Sequence, residues 1–389
     1  MKADATQVFG FKRAENGSPH FIRNPKRSGI AMEMACPSGA AVRREARRLH
    51  KLHVMQIIRQ LMFFMLAAAP VLSDLSSAES APTMKAVVIH EYGGPEVLKY
   101  EDIPLPEPND DQLLVRVIAA GVNPVDGMIR SGMFDKEGNR AFPMILGGDV
   151  AGVVEKVGSK VTKFRAADPV FAYVSLDNSG GYAQYALVTE REAAPKPKSL
   201  TYVEAAAVPI VAMTAWQALV DTAKLSARQT VLIHGGSGGV GSFAIQIAKA
   251  RGAKVIATAS TANQDFLKQL GADVPIDYTK QKFEDVAKDV DVVLDSIGRD
   301  TLARSYGVVK KGGIIVSLVA RPKESELQKH GIRGVALNVE PNSEELAEIG
   351  KLIDDKKNQS NRVSNIPTFG SDEGAAAGSD WPHARENSS

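Results

Sequence analysis

The chain has 389 residues, of which 44% are hydrophobic and 24% are charged, and its formal net charge is +2. This composition is typical of a globular protein with room for two domains plus extensions. The basic excess lies in the first 83 residues, so the rest offers no basic surface of the kind that nucleic-acid binding requires. The single cysteine, Cys36, excludes an intramolecular disulfide and a cysteine-based zinc site in the body of the protein.

Residues 1–83 differ in pattern from the residues that follow. The first 54 lack hydrophobic periodicity, which predicts a disordered leader. A basic stretch at 43–48 is followed by an apolar run at 61–69 and by small residues around 76–78, an order typical of a secretory signal peptide, whose signal-like segment is 55–81. If the signal is genuine, a start at Met55 fits it better than a start at Met1. Otherwise the apolar run docks on the body. It is too short for a stable membrane span, and the compartment stays open between cytoplasm and export.

Residues 84–205 are rich in predicted strands. The segment 113–118 alternates between apolar and polar residues, as a half-buried strand does. Many short strands separated by glycine and proline turns indicate a partly open β-barrel. A β-rich domain followed by an α/β domain implies a cleft between them, in which a cofactor meets its substrate. The predicted strands are 86–89, 113–118, 152–157, 170–174 and 182–188.

A glycine motif follows an apolar strand at 231–233 and precedes a helical pattern. This strand–glycine–helix context predicts a dinucleotide-binding turn, with the pyrophosphate at the N-terminus of the helix. The alternative is an ordinary glycine-rich turn between a strand and a helix. The residues predicted to approach the pyrophosphate are Gly236, Ser237, Gly238, Gly239, Val240 and Gly241.

Further apolar strands alternate with helices across residues 206–335. They are predicted at 254–258, 276–278, 290–295 and 314–318, the last after a turn at 311–313. Strands of this kind indicate a doubly wound, Rossmann-type parallel sheet covered on both faces. Ligands of such sheets bind at the carboxyl ends of the strands. This rule adds Ser260, Ser296, Ser317, Leu318 and Val319 to the predicted cofactor rim.

The end of the second parallel strand distinguishes NAD from NADP. NAD enzymes carry an Asp or Glu there that binds the ribose 2′-hydroxyl. This chain has the sequence Thr-Ala-Ser-Thr at 258–261, with no carboxylate to repel a 2′-phosphate. We therefore expect NADPH, with Ser260 as a contact. The alternative is that these are ordinary hydroxyls at a strand end.

The last predicted element is a helix from Ser343 to Ile353, with Ser343 in the N-cap region. Residues 336–357 are expected to return the chain to the β-rich domain. Residues 358–389 are rich in Ser, Asn, Gly and Ala without strand-like alternation, which predicts an atypical flexible tail.

From Met84 to about Asp355 the sequence resembles the zinc-independent quinone oxidoreductase (zeta-crystallin-like) branch of the medium-chain dehydrogenase/reductase superfamily. This resemblance implies an α/β fold with a Rossmann domain and a GroES-like barrel, NADPH as cofactor, and a homo-oligomer (dimer or tetramer). The motifs that carry it are MKAVVIHEYGGPEVLKYED (84–102), AAGVNPVDGMIRSG (119–132), GGDVAGVVEKVG (147–158), GGYAQYALV (180–188), TAWQAL (214–219), HGGSGGVGSFAIQIAKARGAKVIATAS (234–260) and LGADVPIDY (270–278).

The resemblance also implies roles near the reacting groups. Asn123 stands where zinc-dependent relatives carry a metal-binding Cys, and Asp149 lies in the segment where they carry Gly-His-Glu, so no metal site is expected. Asn123 and Thr214 are expected at the nicotinamide end of the cleft. Alternatively, Asn123 caps the turn before Pro124, and Thr214 is a hydroxyl at a helix start.

Two further implied positions lie on the Rossmann side of the cleft. Tyr278 is expected near the 2′-phosphate together with Ser260, and residues 317–319 are expected beside the nicotinamide. Alternatively, Tyr278 is a half-buried strand residue.

The sequence departs from the family pattern in two places. Many relatives carry Tyr or Lys where this chain has Met128, so a donor to a substrate carbonyl is missing there. The last 32 residues do not match the strands with which relatives return to the catalytic domain, and we expect a shift of reading frame near Lys357.

The function implied by the resemblance is NADPH-dependent, zinc-independent reduction of quinones or α,β-unsaturated carbonyls by hydride transfer. Asn123, Met128 and Asp149 are the candidate catalytic positions. The alternative is a catalytically impaired family member that binds NADPH, or a nucleic-acid-binding or structural protein, because the C-terminal strands are missing. An enoyl-thioester reductase would need a pocket for a carrier arm, which the sequence does not show.

Overall fold

The computed structural model describes Met55 and residues 81–135, 137–175, 180–359 and 375–377, with only the backbone described at 356–359 and 375–377. Cys36, the predicted leader, nearly all of the signal-like segment 55–81 and most of the tail 358–389 lie outside the described residues. Within the described part, no helix is long and apolar enough to cross a membrane.

The first half of the described chain forms antiparallel sheets that curl into a partial barrel. One sheet has the order β2-β1-β4 and the other contains β3-β5-β6-β8, with β7 also paired to β3. A bridge between Ala86 and Ala183 joins β1 to the segment before β7. This arrangement confirms the predicted β-rich, partly open barrel. The strands are β1 (Thr83–Ile89), β2 (Lys99–Pro104), β3 (Gln112–Gly121), β4 (Met144–Ile145), β5 (Asp149–Val157), β6 (Pro169–Tyr173), β7 (Tyr185–Thr189) and β8 (Ala193–Pro195).

The alternation predicted for 113–118 is wrong in detail. β3 is buried along most of its length, and Arg116 is its one exposed residue. The reason is that β3 is a central strand, paired to β5 on one side and to β7 on the other. Its Val115 faces the barrel core while its Ala119 contributes to a second core, so both faces of the strand are covered.

The second half forms a six-stranded parallel sheet with the order β11-β10-β9-β12-β13-β14. The chain builds outward from β9 in one direction and then in the other, so the order reverses between β9 and β12. This topology confirms the predicted Rossmann-type sheet. The strands are β9 (Thr230–Ile233), β10 (Lys254–Ala259), β11 (Val274–Asp277), β12 (Val290–Asp295), β13 (Val309–Ser317) and β14 (Arg333–Ala336).

Helices cover both faces of this sheet. Ile233 and Ile245 belong to the core on one face, and Leu232 and Leu302 belong to the core on the other. The helices are α1 (Pro124–Arg130), α2 (Tyr202–Ala206), α3 (Pro209–Trp216, continued by a π-helical segment Gln217–Thr222), α4 (Gly239–Ala250), α5 (Gln264–Leu270), α6 (Phe283–Val286), α7 (Arg299–Ser305), α8 (Glu324–His330) and α9 (Ser343–Gln359). Short 3₁₀ segments lie at Pro95–Val97, Thr261–Asn263 and Tyr306–Val308.

Several predicted boundaries need correction. β13 begins at Val309, so the predicted turn at 311–313 lies inside the strand, where the pairing with β12 has an irregular register. Tyr278 lies just beyond β11 and is exposed. The N-terminus of α9 is capped by Asn342, not Ser343. The Asn342 Oδ1 accepts hydrogen bonds from the N–H groups of Glu344 (3.0 Å) and Glu345 (3.2 Å).

The tail also departs from its prediction in three residues. Ala375–Ala377 form a strand, β15, which pairs antiparallel with residues 119–121 at the end of β3. No strand-like alternation is visible at these positions, because a run of three alanines has no polar residues to alternate with apolar ones.

Candidate active site

The predicted glycine turn lies at the point where the parallel sheet reverses its order. Gly235 has a φ of +68°, a conformation that glycine adopts without strain. The Gly236 N–H donates to the Thr258 carbonyl (2.8 Å), and the Gly238 N–H donates to the Gly235 carbonyl (2.9 Å). A Cβ on Gly241 would lie 2.2 Å from the Gly235 oxygen, so only glycine permits this contact between turn and helix.

The Gly238 position is open by comparison. A Cβ built there would meet only the Gly235 oxygen within 4 Å, at 3.3 Å. Helix α4 begins at the next residue, and its first N–H groups have no acceptor within the helix. Exposed backbone beside the positive end of a helix suits an anion such as a pyrophosphate. The residues of the turn therefore fit the group that the motif predicts.

Asp295, at the carboxyl end of β12, organises the rim of the sheet. Its carboxylate accepts from the N–H groups of Ile297 (3.1 Å) and Gly298 (2.9 Å) and from the Ser317 hydroxyl (2.8 Å). Ser317 is fully buried. Its hydroxyl therefore holds the rim together, and a cofactor contact at Ser317 stays a prediction.

The remaining rim residues differ in exposure. Val319 is half exposed and packs beside Gly298, and Leu318 is partly buried. The Ser296 hydroxyl donates to the His234 carbonyl (2.9 Å). These positions agree with the predicted rim, while the contacts of Leu318 and Val319 with a cofactor stay predictions.

His234 is a buried residue that the motif search did not single out for a role. Its ring nitrogens lie 3.3 Å from the Thr258 hydroxyl and 3.0 Å from the Ser305 hydroxyl. Burial lowers the pKa of His234 to about 4, so the ring is neutral at pH 7. Because both ring nitrogens of His234 have hydrogen-bond partners inside the fold, we assign this residue a role in positioning the glycine turn. In the sequence, the only indication of that role is that His234 directly precedes the glycines.

The ribose end of the rim contains a carboxylate that the sequence argument missed. Asp277 ends β11, next to the end of β10, and it accepts from the Thr261 hydroxyl (2.6 Å) and the Thr279 hydroxyl (2.7 Å). These hydrogen bonds lower the pKa of Asp277 to about 2. The end of β10 itself carries no carboxylate, but its pairing with β11 brings the Asp277 carboxylate beside it. Ser260 remains available nearby and accepts from the Asn263 amide (3.2 Å).

A cavity of about 180 Å³ lies at the edge of the barrel, between α1, β6 and the start of α3. Polar and apolar groups both line it, and one lining residue is cationic. The lining residues are Val125, Asp126, Ile129, Arg140, Gly148, Tyr173, Val174, Ser175, Ile210 and Pro341.

Asn123 and Asp149 lie directly behind this cavity. The Asn123 amide donates to Asp149 Oδ2 (2.9 Å), and the Ile210 N–H donates to Asp149 Oδ1 (2.8 Å). Asn123 also precedes α1, and its own N–H donates to Asp126 Oδ2 (2.7 Å). The capping position considered for Asn123 is therefore present, and its side chain links α1 to β5 as well.

The two carboxyl groups behind the cavity are held away from water. Burial raises the pKa of Asp149 to about 8, against the opposing effect of its hydrogen bonds from Asn123 and Ile210. Burial likewise raises the pKa of Asp126, which accepts from the Tyr182 hydroxyl (2.8 Å). Asp149 was predicted from the sequence, but Asp126 and Tyr182 were not, because their spacing in the sequence does not predict the hydrogen bond between them.

Like Asn123 and Asp149, the predicted residues Met128 and Thr214 do not line the cavity. Met128 is partly exposed on α1. Thr214 lies inside α3, not at a helix start, and its hydroxyl donates to the Ile210 carbonyl (2.6 Å). Among the residues described here, no group of three or more His, Cys, Asp or Glu side chains is placed to hold a metal ion.

Known proteins share both halves of this arrangement. The sequence matches the family "Alcohol dehydrogenase GroES-like domain" over residues 109–198 and the family "Zinc-binding dehydrogenase" over residues 239–334. The chloroplastic NADPH-dependent alkenal/one oxidoreductase of Arabidopsis thaliana is 44% identical over 261 residues, which are 65% of this chain and 66% of that protein. The chain thus spans just under two thirds of that relative.

Quinone oxidoreductases are similar over more of their length. That of Mus musculus is 38% identical over 271 residues, which are 66% of this chain and 81% of that protein. The crystal structure of Escherichia coli quinone oxidoreductase complexed with NADPH matches with a TM-score of 0.64 and 30% identity, over 70% of this chain and 88% of that one. The chain therefore belongs to the quinone oxidoreductase family of the medium-chain dehydrogenase/reductase superfamily, as the sequence motifs predicted.

Proposed function

We propose that the protein is an NADPH-dependent reductase of quinones or α,β-unsaturated carbonyls that works without zinc. The observation that carries the proposal is the open glycine turn at the N-terminus of α4. It lies in the same compact unit of the chain, residues 80–389, as the cavity beside Asn123 and Asp149. The named activities of the relatives, which act on quinones and on alkenals or enones, support the substrate class.

In the proposed cofactor rim, some residues bind the cofactor and others set its electrostatic surroundings. The open backbone at Gly238 and the first N–H groups of α4 bind the pyrophosphate, and Ser260 binds the 2′-phosphate. Asp277 stays ionised, and Lys280, 3.4 Å away, offsets part of its negative charge, which reduces its repulsion of a phosphate. When bound, NADPH supplies a hydride. The solved relative that contains NADPH supports this choice of cofactor.

The chain's own contribution to the chemistry is position and exclusion of water. Asn123 and Ile210 hold Asp149 in place beside the cavity, and the neighbouring Gly148, packed against Ile210 and Tyr173, forms part of the lining. A conjugated carbonyl needs no Lewis acid to accept a hydride at an electrophilic carbon, because the resulting enolate or quinol anion is stabilised by delocalisation. The Asn123 amide N–H is occupied by the Asp149 carboxyl group.

The test is a pair of measurements on the full chain. Fluorescence titration with NADPH and NADH is expected to show tight, NADPH-selective binding. Loss of NADPH absorbance is then followed with 1,4-naphthoquinone, 2-cyclohexenone and the saturated control cyclohexanone. Turnover of the first two without the third supports the proposal. Binding without turnover of either conjugated acceptor supports the impaired family member instead, and no binding removes the enzyme assignment.

The assembly is a separate part of the proposal. We expect a homo-oligomer, dimer or tetramer, as the family resemblance implies. Light scattering on the purified chain measures its mass, and a single species at the mass of one chain contradicts this expectation.

A further inference from the structure

A hydrogen-bond donor in the cavity would accelerate the reduction of a carbonyl compound beyond what position and exclusion of water supply. Hydride addition to a conjugated acceptor leaves negative charge on the carbonyl oxygen, and a donor aimed at that oxygen lowers the barrier. Met128, where many relatives carry Tyr or Lys, has a thioether that cannot donate, and it does not line the cavity. Another residue must therefore supply the donor.

Tyr173 is placed to do so. It is the last residue of β6 and lines the cavity, and its ring lies against Gly148 at the wall formed with Ile210. A Cβ on Gly148 would lie 3.3 Å from Tyr173 Cε2 and 2.6 Å from Ile210 Cδ1. The backbone N–H of Tyr173 donates to the Glu192 carbonyl, which fixes the residue. Among the described residues, none forms a hydrogen bond with its phenol.

The surroundings of Tyr173 keep its phenol protonated, and a separate cationic residue attracts a negative acceptor oxygen. Burial, followed by the nearby carboxylates of Asp149 and Asp126, raises the pKa of Tyr173 to about 12, so the phenol stays a donor at neutral pH. Arg140 is the cationic lining residue, and no ion pair joins it to a carboxylate in the part of the chain that the structure describes. An unpaired guanidinium attracts an oxyanion.

We propose that Tyr173 is a catalytic residue that donates a hydrogen bond from its phenol to the carbonyl oxygen of the acceptor, and that Arg140 supplies positive charge at the same oxygen. This inference rests on the proposed function. The β-carbon of the acceptor gains a hydride from NADPH, which becomes NADP⁺. The electron pair of the C=C bond then forms the double bond between the α-carbon and the carbonyl carbon, and the π pair of the C=O bond moves to the oxygen, which gives an enolate. A proton from water then adds to the α-carbon, so Tyr173 keeps its own proton throughout.

The decisive variant is Tyr173→Phe, which removes the hydroxyl and keeps the ring that packs on Gly148. We expect kcat for 2-cyclohexenone to fall about 100-fold, with the Kd for NADPH unchanged. The matched control is Tyr185→Phe, since Tyr185 lies on β7 and outside the cavity lining. Arg140→Met is expected to lower kcat as well, with Arg165→Met, on an exposed loop, as its control.

A second readout works without NADPH and without turnover. The probe is 4-nitrophenol, whose phenolate absorbs at a longer wavelength than the neutral phenol and resembles the oxyanion. The wild-type protein is expected to favour the bound phenolate, and Tyr173→Phe to bind it about 10-fold more weakly, while Tyr185→Phe binds like wild type.

The two readouts separate the inference from the function on which it rests. If Tyr173→Phe matches Tyr185→Phe in both, the inference is overturned while the reductase proposal stands. If the wild-type protein reduces no conjugated acceptor but Tyr173→Phe loses phenolate binding, the oxyanion subsite stands and the reductase proposal fails. If the wild-type protein binds no phenolate, the subsite does not exist.

Discussion

The glycine turn and the cavity are both proposed to bind a ligand, but with different parts of the chain. The turn would bind its ligand through backbone groups of six consecutive residues, whose conformation requires glycine. The cavity is lined by side chains from α1, β6 and the start of α3, and the Asn123–Asp149 hydrogen bond joins α1 to β5 beside it. A site built from backbone groups is therefore encoded by neighbouring residues, whereas a site built from side chains depends on contacts between residues far apart in the sequence.

The sharpest test of the local character of the turn is Gly241→Ala. The new Cβ would lie 2.2 Å from the Gly235 oxygen and 2.7 Å from the Gly236 Cα, both backbone atoms that cannot move aside. We expect the free energy of unfolding to fall by about 3 kcal/mol and NADPH binding to be lost, as measured by urea unfolding and fluorescence titration.

The matched control for that substitution is Gly307→Ala. A Cβ at this position meets nothing within 4 Å, and the backbone is not in the left-handed region. We expect it to leave stability and NADPH binding at the wild-type level. Equal effects of the two substitutions would remove the argument for close packing at the turn.

The same contrast explains what the sequence could predict. The strand, the glycines and α4 follow one another, so their periodicity and spacing predicted the fold and the pyrophosphate turn. Asp277 was missed because it reaches Thr261 only through the parallel pairing of β10 and β11. Tyr182 reaches Asp126 across 56 residues, and no local pattern encodes that distance. Resemblance to a family identified Asn123 and Asp149, but their mutual hydrogen bond required the structure.

Asp149 gives the cavity a pH dependence that the turn lacks. Its pKa is about 8 in the folded protein against 3.8 for an ordinary carboxyl, so its contribution to stability is complete at low pH and is lost as the pH rises toward 8. The slope is at most about 1.4 kcal/mol per pH unit, or about 2–3 kcal/mol between pH 5 and pH 7.

Asp149→Asn is expected to remove that slope, because the amide does not ionise and Asn123 can rotate its own amide to face it. Chemical unfolding at a series of pH values measures the difference between variant and wild type. Parallel pH curves for the two proteins would contradict a buried, protonated Asp149.

Ser260→Asp tests whether the cofactor rim selects the phosphate. The new carboxylate, added beside Asp277, is expected to weaken NADPH binding about 30-fold, equal to about 2 kcal/mol, and to leave NADH binding unchanged. Ser260→Asn is the uncharged control of similar size, and its selectivity for NADPH is expected to stay. Titration of both cofactors measures the ratio, and an unchanged ratio for Ser260→Asp would place the 2′-phosphate elsewhere.

Tyr182→Phe tests the buried hydrogen bond between Tyr182 and Asp126 beside the cavity. The hydroxyl donates to the Asp126 carboxylate, and both residues are buried, so its removal leaves a desolvated acceptor with one donor fewer. We expect a loss of about 1–2 kcal/mol in the free energy of unfolding. Tyr92→Phe is the matched control, because Tyr92 donates to a carboxylate, Asp135, that water also reaches. Urea unfolding that finds the two variants equally stable would mean that the barrel side of the cavity does not depend on buried hydrogen bonds.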